Sequence, residues 1–379
     1  MKIAVNTRLL RSERMTGIEL FTLETMSRIA KAHPEHTFYY LFDRPYNSKF
    51  ITSDNIVPVV IKPKSYYRAF HLKFWFEYIL PKALKKINPD LLISPDSMMS
   101  LSSDVPAFIV IHDINFEHYP KHLPRGISRF LRKYTPQYVH KAQRIATVSE
   151  FSKSDLISQY NTDPDKIDVV WNGANVNYKP LSAEEKQAVR NQFTSGIPYF
   201  LFIGTILPRK NLANQLKAYG IFREKSQKMQ KFLIVGDKWI WDKELQKAWE
   251  SCPYKEDVIF VGRLDSDTLG KVISAATALM YVSLFEGFGI PILEAFYAGT
   301  PVITANVTSM PEVAGDAALC VDPLQPEEIA EAMKKIEEDK TLRTKLIEAG
   351  TIRKNEFSWD KTAELLWNSI EKVLDSIKK

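Results

Sequence analysis

The sequence predicts two α/β domains, each built on a parallel sheet that is covered by helices. The chain has 379 residues, more than one domain usually holds. Short β-rich runs alternate with amphipathic runs, and this alternation lapses between residues 172 and 196 before it restarts. We therefore expect Rossmann-like domains at 1–175 and 196–358, with the cleft between them as the default ligand site. A last helix over 359–379 can pack back on the first domain.

The first half opens with a strand, KIAVNTR, and a helix, GIELFTLETMSRIAKAH, whose apolar residues recur at roughly helical spacing. A second helix is predicted at SEFSKSDLISQY, which begins with a capping pattern. The other strand candidates of this half are FYYLF, VPVVI, DLLIS, AFIVI, RIATVS and KIDVVW.

The second half repeats the pattern, and several of its strands end directly in glycine. Glycine at the carboxyl end of a parallel strand lets a ligand approach the backbone closely, which makes Gly204, Gly236 and Gly262 candidates for a binding edge. Helices are predicted from Asn211 and over DSDTLGKVISAAT. The strand candidates are YFLFIG, KFLIVG, DVIFVG, ALMYVS, PVITA and ALCVD.

Composition favours a cytoplasmic protein. Hydrophobic residues make up 45% of the chain and charged residues 25%, as in ordinary globular proteins. The two cysteines, Cys252 and Cys320, fit neither a disulfide framework nor a metal spacing. The start MKIAVNTRLL has too short an apolar run for a signal peptide, and no stretch approaches the roughly 20 apolar residues of a spanning helix.

The net charge of +6 is unevenly placed along the chain. Residues 1–150 hold 22 Lys and Arg against 13 Asp and Glu, whereas the remainder holds 29 against 32. The basic excess is typical of a protein whose partner is an anionic membrane surface, a phosphorylated substrate or nucleic acid. The alternative is a solvated basic surface that binds no partner. Residues 66–90, which are aromatic and basic, can rest on an anionic membrane or form a domain helix with buried aromatics.

The stretch GTILPRKN places two cations at a predicted helix start. Arg209 and Lys210 run against the usual preference for acids at that position, a small cost that a bound anion would reverse. A forked guanidinium and a point-charge ammonium together suit a diphosphate. A surface basic pair is the alternative.

The stretch EGFGIPILE combines a phosphate-binding pattern with two carboxylates. A glycine turn before a helix start, with Pro291 in the first turn, is typical of an anion site. Glu286 on the loop and Glu294 one turn into the helix would repel a phosphate, but carboxylates accept hydrogen bonds from sugar hydroxyls. A nucleotide diphosphate sugar fits both the phosphate-binding turn and the two carboxylates, since it carries a diphosphate between two polyols.

A longer stretch, EGFGIPILEAFYAGTPVITANVTSMPEVAGDAALCVDP, closely resembles the signature of retaining glycosyltransferases of family 4, which have the GT-B fold. The resemblance extends over nearly the whole chain. It includes the early Gly17 turn and the stretches IHDINFEHYP, ATVSEFSKSDL, WNGAN, GTILPRKN, VGDKW and FVGRL. It implies an α/β GT-B architecture of two Rossmann-like domains that face each other across a cleft.

The resemblance also implies residue roles. Arg209 and Lys210 would contact the donor diphosphate, Glu286 the hydroxyls of the transferred sugar, and Glu294 the ribose. His112 would lie at the transferred sugar and the acceptor entrance. The ordinary histidine pKa near 6.5 would also allow a general base, but the resemblance implies a binding role. Other donor-site positions implied are Gly17, Asp113, Gly204, Gly236, Gly262, Arg263, Leu264, Gly287, Phe288, Gly289 and Ile290.

The reaction implied is retaining transfer of a hexose to a glycan or lipid-linked saccharide in cell-surface polysaccharide synthesis. GDP-mannose is the preferred donor, while UDP-glucose, UDP-galactose and UDP-N-acetylglucosamine stay open. Partners would be the nucleotide sugar, the acceptor and an anionic membrane on whose inner face the protein is peripheral, but not nucleic acid. A nucleotide-sugar epimerase or hydrolase, and a non-catalytic nucleotide-sugar-binding subunit, are the alternatives.

The triplet Asp265-Ser266-Asp267 matches the metal-binding DxD pattern of glycosyltransferases with the other major fold. Here it opens a predicted helix, where Asp and Ser are ordinary caps. We therefore expect no essential metal and no cofactor, the nucleotide sugar being a co-substrate.

Overall fold

The computed structural model of the protein describes residues 1–11, 15, 17–61 and 70–378, without the side chains of 70 and 71. The chain forms two compact units, one of Met1–Asn172 with Trp359–Lys379 and one of Gly173–Ser358. Every strand candidate from the sequence is a strand in one of two parallel sheets. None of the described helices combines the length and apolar character that a bilayer span requires.

The first unit holds a sheet of seven described strands in the order β3-β2-β1-β4-β5-β6-β7, all parallel. Its central strands are buried on both faces, as expected of a sheet between two helix layers. The strands are β1 Lys2–Asn6, β2 Thr37–Phe42, β3 Ile56–Val60, β4 Leu91–Ser94, β5 Ala107–Ile111, β6 Arg144–Thr147 and β7 Ile167–Val169.

The second unit holds a sheet of six parallel strands in the order β10-β9-β8-β11-β12-β13. The chain order reverses beside β8, so this unit has the switch point at which doubly wound sheets bind ligands. The strands are β8 Tyr199–Ile203, β9 Lys231–Val235, β10 Val258–Gly262, β11 Ala278–Tyr281, β12 Val302–Ala305 and β13 Leu319–Val321.

Helices connect the strands of both sheets, as parallel pairing requires. In chain order they are α1 Gly17–Ala32, α2 Phe70–Phe74, α3 Leu80–Ile87, α4 Asn115–His118, α5 Arg125–Lys141, α6 Glu150–Tyr160, α7 Ala183–Thr194, α8 Leu212–Lys225, α9 Lys243–Glu250, α10 Ser266–Ala275, α11 Ile290–Tyr297, α12 Met310–Ala314, α13 Pro326–Glu338, α14 Lys340–Arg353 and α15 Trp359–Lys378.

The last helix, α15, belongs to the first unit. The Trp367 ring stacks on the ring of His33, which directly follows α1, with 3.8 Å between centroids. At the sheet edge, the Asp168 carboxylate accepts hydrogen bonds from Arg144, from the Ser369 hydroxyl and from Lys372 Nζ at 3.0 Å. These contacts hold α15 against the first unit by both apolar and ionic interactions.

The polar segment between residues 172 and 196 contains α7, a helix that was not predicted from the sequence. Ser182 and Glu185 form a capping box in which each side chain accepts from the other residue's backbone N–H. The capping box was visible in the sequence, but the helix behind it has only a weak apolar stripe. Residues 173–195 therefore lie within the second unit.

Residues 66–69 of the aromatic and basic segment 66–90 lie outside the described residues. From Phe70 to Ile87 the segment is helical. A π-helical turn, Trp75–Ile79, joins α2 to α3. Pro81 has no N–H to offer the Glu77 carbonyl, which instead accepts a hydrogen bond from the Ser102 hydroxyl at 3.0 Å. Proline thus changes the local helix geometry without ending the helix, and Trp75 and Phe76 are buried.

Candidate functional site

Arg209, Lys210 and Glu286 form one ionic cluster in the second unit. Arg209 Nη1 donates to Glu286 Oε2 at 2.9 Å, and Lys210 Nζ lies 2.6 Å from Glu286 Oε1. Lys210 Nζ also donates to the Tyr281 hydroxyl at 2.9 Å. The two cations lie in the 3-10 turn Pro208–Lys210 after β8, so the two sequence motifs meet in space.

Burial makes this cluster electrostatically strong. Lys210 is 9% exposed and Glu286 is 6% exposed. Burial on its own would raise the pKa of Glu286, but the charges of Arg209 and Lys210 outweigh it and lower that pKa to about 2. The carboxylate is therefore ionised throughout the physiological range, and the cluster carries two positive charges against one negative charge.

The loop that carries Glu286 is held by the segment after β12. The Ser309 hydroxyl donates to the carbonyls of Glu286 and Phe288 at 2.8 and 3.0 Å. The Glu286 N–H donates to Thr308 Oγ1 at 3.3 Å, and the Leu284 N–H donates to the Arg209 carbonyl at 2.8 Å. Ser309 and Tyr281 were not predicted as site residues, and the available signals were a hydroxyl at the end of β11 for Tyr281 and one just before α12 for Ser309.

The glycine turn leads into α11 as the sequence suggested. Gly289 occupies the N-cap position with a φ of 114°, a conformation that other residues rarely adopt, and Pro291 lies in the first turn. Ile290 is the first residue of the helix. Glu294 is half-buried one turn in, and its burial raises the pKa of its carboxyl to about 7.

The strand-end glycines Gly204, Gly236 and Gly262 lie side by side at the carboxyl edge of β8, β9 and β10. Protein atoms fill the space beside two of them: a Cβ on Gly236 would lie 2.0 Å from the Gly204 carbonyl oxygen, and one on Gly204 would meet the Lys210 stem at 3.4 Å. Gly262 has a φ of 70° and open space beside it. Backbone packing therefore explains glycine at position 236, and the φ of 149° favours glycine at position 204, whereas the open space lies beside Gly262.

The residues on either side of these turns have separate contacts. Arg263 and Leu264 follow Gly262, and Asp265 caps α10 by accepting from the Thr268 N–H at 2.9 Å, which confirms the capping interpretation. The Phe288 ring packs edge-on against Phe357 inside the unit, with 5.7 Å between centroids. Phe288 and Gly287 can therefore meet a ligand only through the backbone of the Glu286 loop.

The first unit carries His112, Asp113 and Gly17. His112 Nε2 donates to the Pro95 carbonyl at 2.9 Å, because a carbonyl can only accept, and burial lowers the pKa of His112. The His112 ring meets the edge of Phe21, which lies four residues after Gly17 on the same face of α1. Asp113 accepts from the Asn115 N–H at 3.0 Å and so supports the turn after β5.

A polar cluster that the sequence did not reveal lies at the ends of β1 and β4. Asn6 Nδ2 donates to Asp96 Oδ1 at 2.8 Å and to Ser94 Oγ at 2.9 Å. Arg8 pairs with Asp96 Oδ2 at 2.9 Å. Because β4 and β5 are neighbours, this cluster and His112 share the carboxyl edge of the first sheet.

Each of the two units matches a known family model. Residues 15–178 match the model described as Glycosyltransferase Family 4, and residues 183–353 match the model described as Glycosyl transferases group 1. The first match contains His112 and Asp113, and the second contains the Arg209–Lys210–Glu286 cluster.

Two curated relatives are about 30% identical to this chain over the stretches that align. O-antigen chain mannosyltransferase B from Escherichia coli is 31% identical over 255 residues, 67% of each protein. O-antigen chain mannosyltransferase RfbU from Salmonella typhimurium is 30% identical over 231 residues, 61% of this chain and 60% of the relative. The aligned stretch thus spans about two thirds of these relatives.

A solved structure shows the same fold over almost the full chain. HepE from Anabaena, in complex with UDP and glucose, superposes with a TM-score of 0.75 at 18% identity, and the match covers 98% of this chain and 99% of HepE. The two parallel sheets, the two family matches and the Escherichia coli relative all indicate the same family. This chain belongs to the group 1 (family 4) glycosyltransferases and has the GT-B fold.

Proposed function

We propose that the protein transfers a hexose, preferably mannose from GDP-mannose, to a saccharide or lipid-linked acceptor with retention of anomeric configuration. The observation that carries this proposal is the buried cluster of Arg209, Lys210 and Glu286 beside the start of α11. A diphosphate would meet two cations and a helix N-terminus there.

The donor would be held by groups of opposite character. Arg209 and Lys210 bind the diphosphate and stabilise the charge that develops on it as the sugar leaves. Glu286 accepts hydrogen bonds from sugar hydroxyls, and Glu294, once ionised, accepts them from the ribose. The two cations supply the charge for which some other transferases use a divalent metal, so we propose a metal-independent reaction.

Retention is favoured by the electrostatics of Glu286. A carboxylate with a pKa of about 2 is a poor general base. The leaving phosphate is then the group that takes the acceptor proton, and the new bond forms on the face from which the phosphate departs. His112, which is neutral and fixed on the Pro95 carbonyl, would bind and orient rather than remove a proton.

The relatives supply the preference for sugar and pathway. Both O-antigen relatives are named mannosyltransferases, which supports GDP-mannose and a cell-surface polysaccharide such as O-antigen. The HepE structure contains UDP and glucose, so UDP sugars are the donors to compare.

The surface of α2 and α3 supports contact with an anionic membrane. Phe74 is 49% exposed and Tyr78 is 56% exposed, and their rings stack with 5.5 Å between centroids. The one acid of this stretch, Glu77, is engaged by the backbone N–H groups of Leu101 and Ser102 at 2.9 and 3.0 Å. Exposed lysines complete the surface: Lys73, Lys82, Lys85 and Lys86.

Such a face suits the headgroup region, where aromatic rings and lysines bind together. Flotation with vesicles containing phosphatidylglycerol, compared with phosphatidylcholine alone, tests this contact. We expect binding to anionic vesicles only, lost in Phe74→Ser/Tyr78→Ser and retained in Trp239→Ser, an exposed tryptophan of the second unit. Equal flotation of both variants would remove the membrane from the proposal.

The activity test is transfer from GDP-mannose, UDP-glucose, UDP-galactose and UDP-N-acetylglucosamine to an alkyl mannoside and to lipid-linked saccharides extracted from bacterial membranes. Proton NMR of the product reports the anomeric configuration. An axially linked product from an axially linked donor supports the proposal, and inversion contradicts it. Rapid donor hydrolysis or epimerisation without acceptor would instead favour a hydrolase or epimerase. Unchanged transfer by Glu286→Ala would refute the assigned site.

A further inference from the structure

A cavity of about 330 Å³ lies in the second unit, away from the donor-binding edge. Its floor is made by residues that immediately precede strands: Pro198 before β8, Gln230 before β9, Thr277 before β11 and Pro301 before β12. In a parallel sheet these amino ends share one edge, whereas Gly204, Gly236 and Gly262 end their strands at the other. The cavity has the volume of a small-molecule site.

Four basic side chains line this cavity: Lys186 and Arg190 from α7, Lys228 from the loop after α8, and Arg343 from α14. Within the described ranges none of these four makes an ion pair with a carboxylate. The one acid in the lining is Glu337, which is 5% exposed and accepts the Ser226 hydroxyl at 2.7 and 2.9 Å. The described lining therefore carries four positive charges against one negative charge.

The two cations of α7 are held in an unfavourable arrangement. Lys186 and Arg190 are four residues apart and thus neighbours on one helix face, where like charges repel. Burial, and then the charge of Arg190, lower the pKa of Lys186, and burial also lowers the pKa of Arg190. An anion in the cavity would relieve both the repulsion and the loss of hydration.

Both guanidinium groups are fixed in place without a ligand. Arg190 Nε and Nη2 donate to the Ala275 carbonyl at 3.1 and 3.0 Å. Arg343 Nη1 donates to the carbonyls of Ile336 and Glu337 at 2.5 and 2.9 Å. A guanidinium has five N–H donors, so each keeps further donors after binding these helix ends. Side chains fixed in this way lose little entropy when an anion binds.

We propose that this cavity is a second anion site, which binds a small phosphate compound of the size of a diphosphate or a sugar phosphate. The basic groups surround a recess at the sheet edge, and Glu337 and Gln230 in its wall are almost fully buried. We take a free phosphate compound as the occupant, because the recess lies against the buried ends of strands and its wall contains the almost fully buried Glu337 and Gln230.

Isothermal titration with inorganic pyrophosphate tests the site, in a Lys210→Gln background that weakens the donor-site cluster. A second arm uses the wild-type protein saturated with GDP or UDP, so that the result does not depend on folding of the Lys210 variant. The diagnostic change is Lys186→Gln/Lys228→Gln, because neither side chain caps a helix end. The matched control is Lys243→Gln/Lys247→Gln on α9, which removes two exposed lysines of the same unit.

We expect one bound pyrophosphate, at least tenfold weaker binding in Lys186→Gln/Lys228→Gln, and unchanged binding in the control. Lys186→Gln alone should raise the melting temperature without pyrophosphate, and saturating pyrophosphate should remove this advantage. Equal binding by both double variants, or no pyrophosphate binding, would overturn the proposal. Binding only to vesicles that contain phosphatidic acid would assign the surface to lipid and overturn it as well.

Discussion

Lys210 Nζ lies 2.6 Å from Glu286 Oε1, and this buried ion pair joins the two motifs from which the function was inferred. Arg209 shares the same carboxylate at 2.9 Å. Before a donor binds, Glu286 neutralises part of the positive charge. In the proposed donor complex, the diphosphate would supply its own negative charge, and the carboxylate would then accept hydrogen bonds from sugar hydroxyls. Such an exchange of partners would resolve the apparent conflict between a phosphate site and an acid in one loop.

Glu286→Gln should change the stability of the fold and the affinity for nucleoside diphosphate in opposite directions. The variant leaves two buried cations without a counter-charge, so we expect the free energy of unfolding to fall by about 3 kcal/mol without ligand. Nucleoside diphosphate should bind about tenfold more tightly, because one nearby negative charge is gone. Transfer should nevertheless fall by about 100-fold or more, because the sugar loses an acceptor. Urea unfolding, titration with GDP or UDP, and a transfer assay measure the three effects.

The control for that variant is Glu331→Gln, which removes an exposed acid on α13 of the same unit. It should change none of the three quantities. If Glu286→Gln bound nucleoside diphosphate more weakly than the wild type, the assignment of the cluster to the diphosphate would be wrong.

Tyr281→Phe tests how Lys210 is positioned. The Tyr281 hydroxyl accepts from Lys210 Nζ at 2.9 Å, and the Lys210 ammonium lies 4.8 Å from the ring centroid. Phenylalanine keeps the ring and removes only the hydroxyl, so we expect a loss of about 1 kcal/mol in stability. The kcat should fall by about tenfold with little change in KM. An unchanged kcat in steady-state kinetics would show that Lys210 does not need this contact.

Glu294 should make donor binding depend on pH. Burial raises the pKa of Glu294 to about 7, so the carboxyl gains its charge, and full acceptor strength for the ribose, as pH rises from 6 to 8. Donor affinity measured by titration should increase over this window in the wild type and stay flat in Glu294→Gln. The same increase in the variant would assign the titration to another group.

The same group should affect stability in the opposite direction. A carboxyl whose pKa is higher in the folded state stabilises the fold at low pH, and this contribution is lost as pH rises from about 4.5 through 7. Glu294→Gln should therefore be more stable than the wild type at pH 8 by about 2 kcal/mol, a value reduced for partial exposure. Urea unfolding at pH 5 and pH 8 gives the comparison, with a difference of less than about 1 kcal/mol expected at the lower pH.

Asp168 should make the docking of α15 sensitive to acid. Burial would raise the pKa of Asp168, but hydrogen bonds from Arg144, Ser369 and Lys372 outweigh it and lower that pKa well below the usual value. The stabilisation is present above about pH 4 and is lost as pH falls further. We expect Asp168→Asn to cost about 2 kcal/mol at pH 7 in urea unfolding and less, but still a measurable amount, at pH 3, because the folded carboxylate loses its charge only below that pH. Asp165→Asn, an exposed neighbour, should cost nothing at either pH.

Strands were more predictable from the sequence than helices. Parallel strands are continuous apolar runs such as AFIVI and KFLIV, and they need no tertiary information to be recognised. Helix α5 has a strongly basic sequence with an internal Pro136, and α7 has a weak apolar stripe. Their positions depend on packing against the sheets, which the local sequence does not reveal.

The site was predictable where the backbone carries the signal. Gly289 has a positive φ that few other residues adopt, and proline is favoured in the first turn of a helix, so EGFGIPILE could be interpreted as a turn before a helix. The pairing of Glu286 with Lys210, the hydroxyl of Tyr281 and the Asn6–Asp96 contact depend on long-range packing. The sequence also did not show that Gly204 and Gly236 pack against protein atoms.

Titration of nucleoside diphosphate and monophosphate into the wild type and into Lys210→Gln tests whether Lys210 binds the donor diphosphate. We expect GDP or UDP to bind the wild type at least tenfold more tightly than the corresponding monophosphate. Lys210→Gln should remove most of this difference, while its affinity for the monophosphate should be nearly unchanged. Equal affinities of the wild type for the diphosphate and the monophosphate, or a diphosphate affinity unaffected by Lys210→Gln, would contradict this role of Lys210.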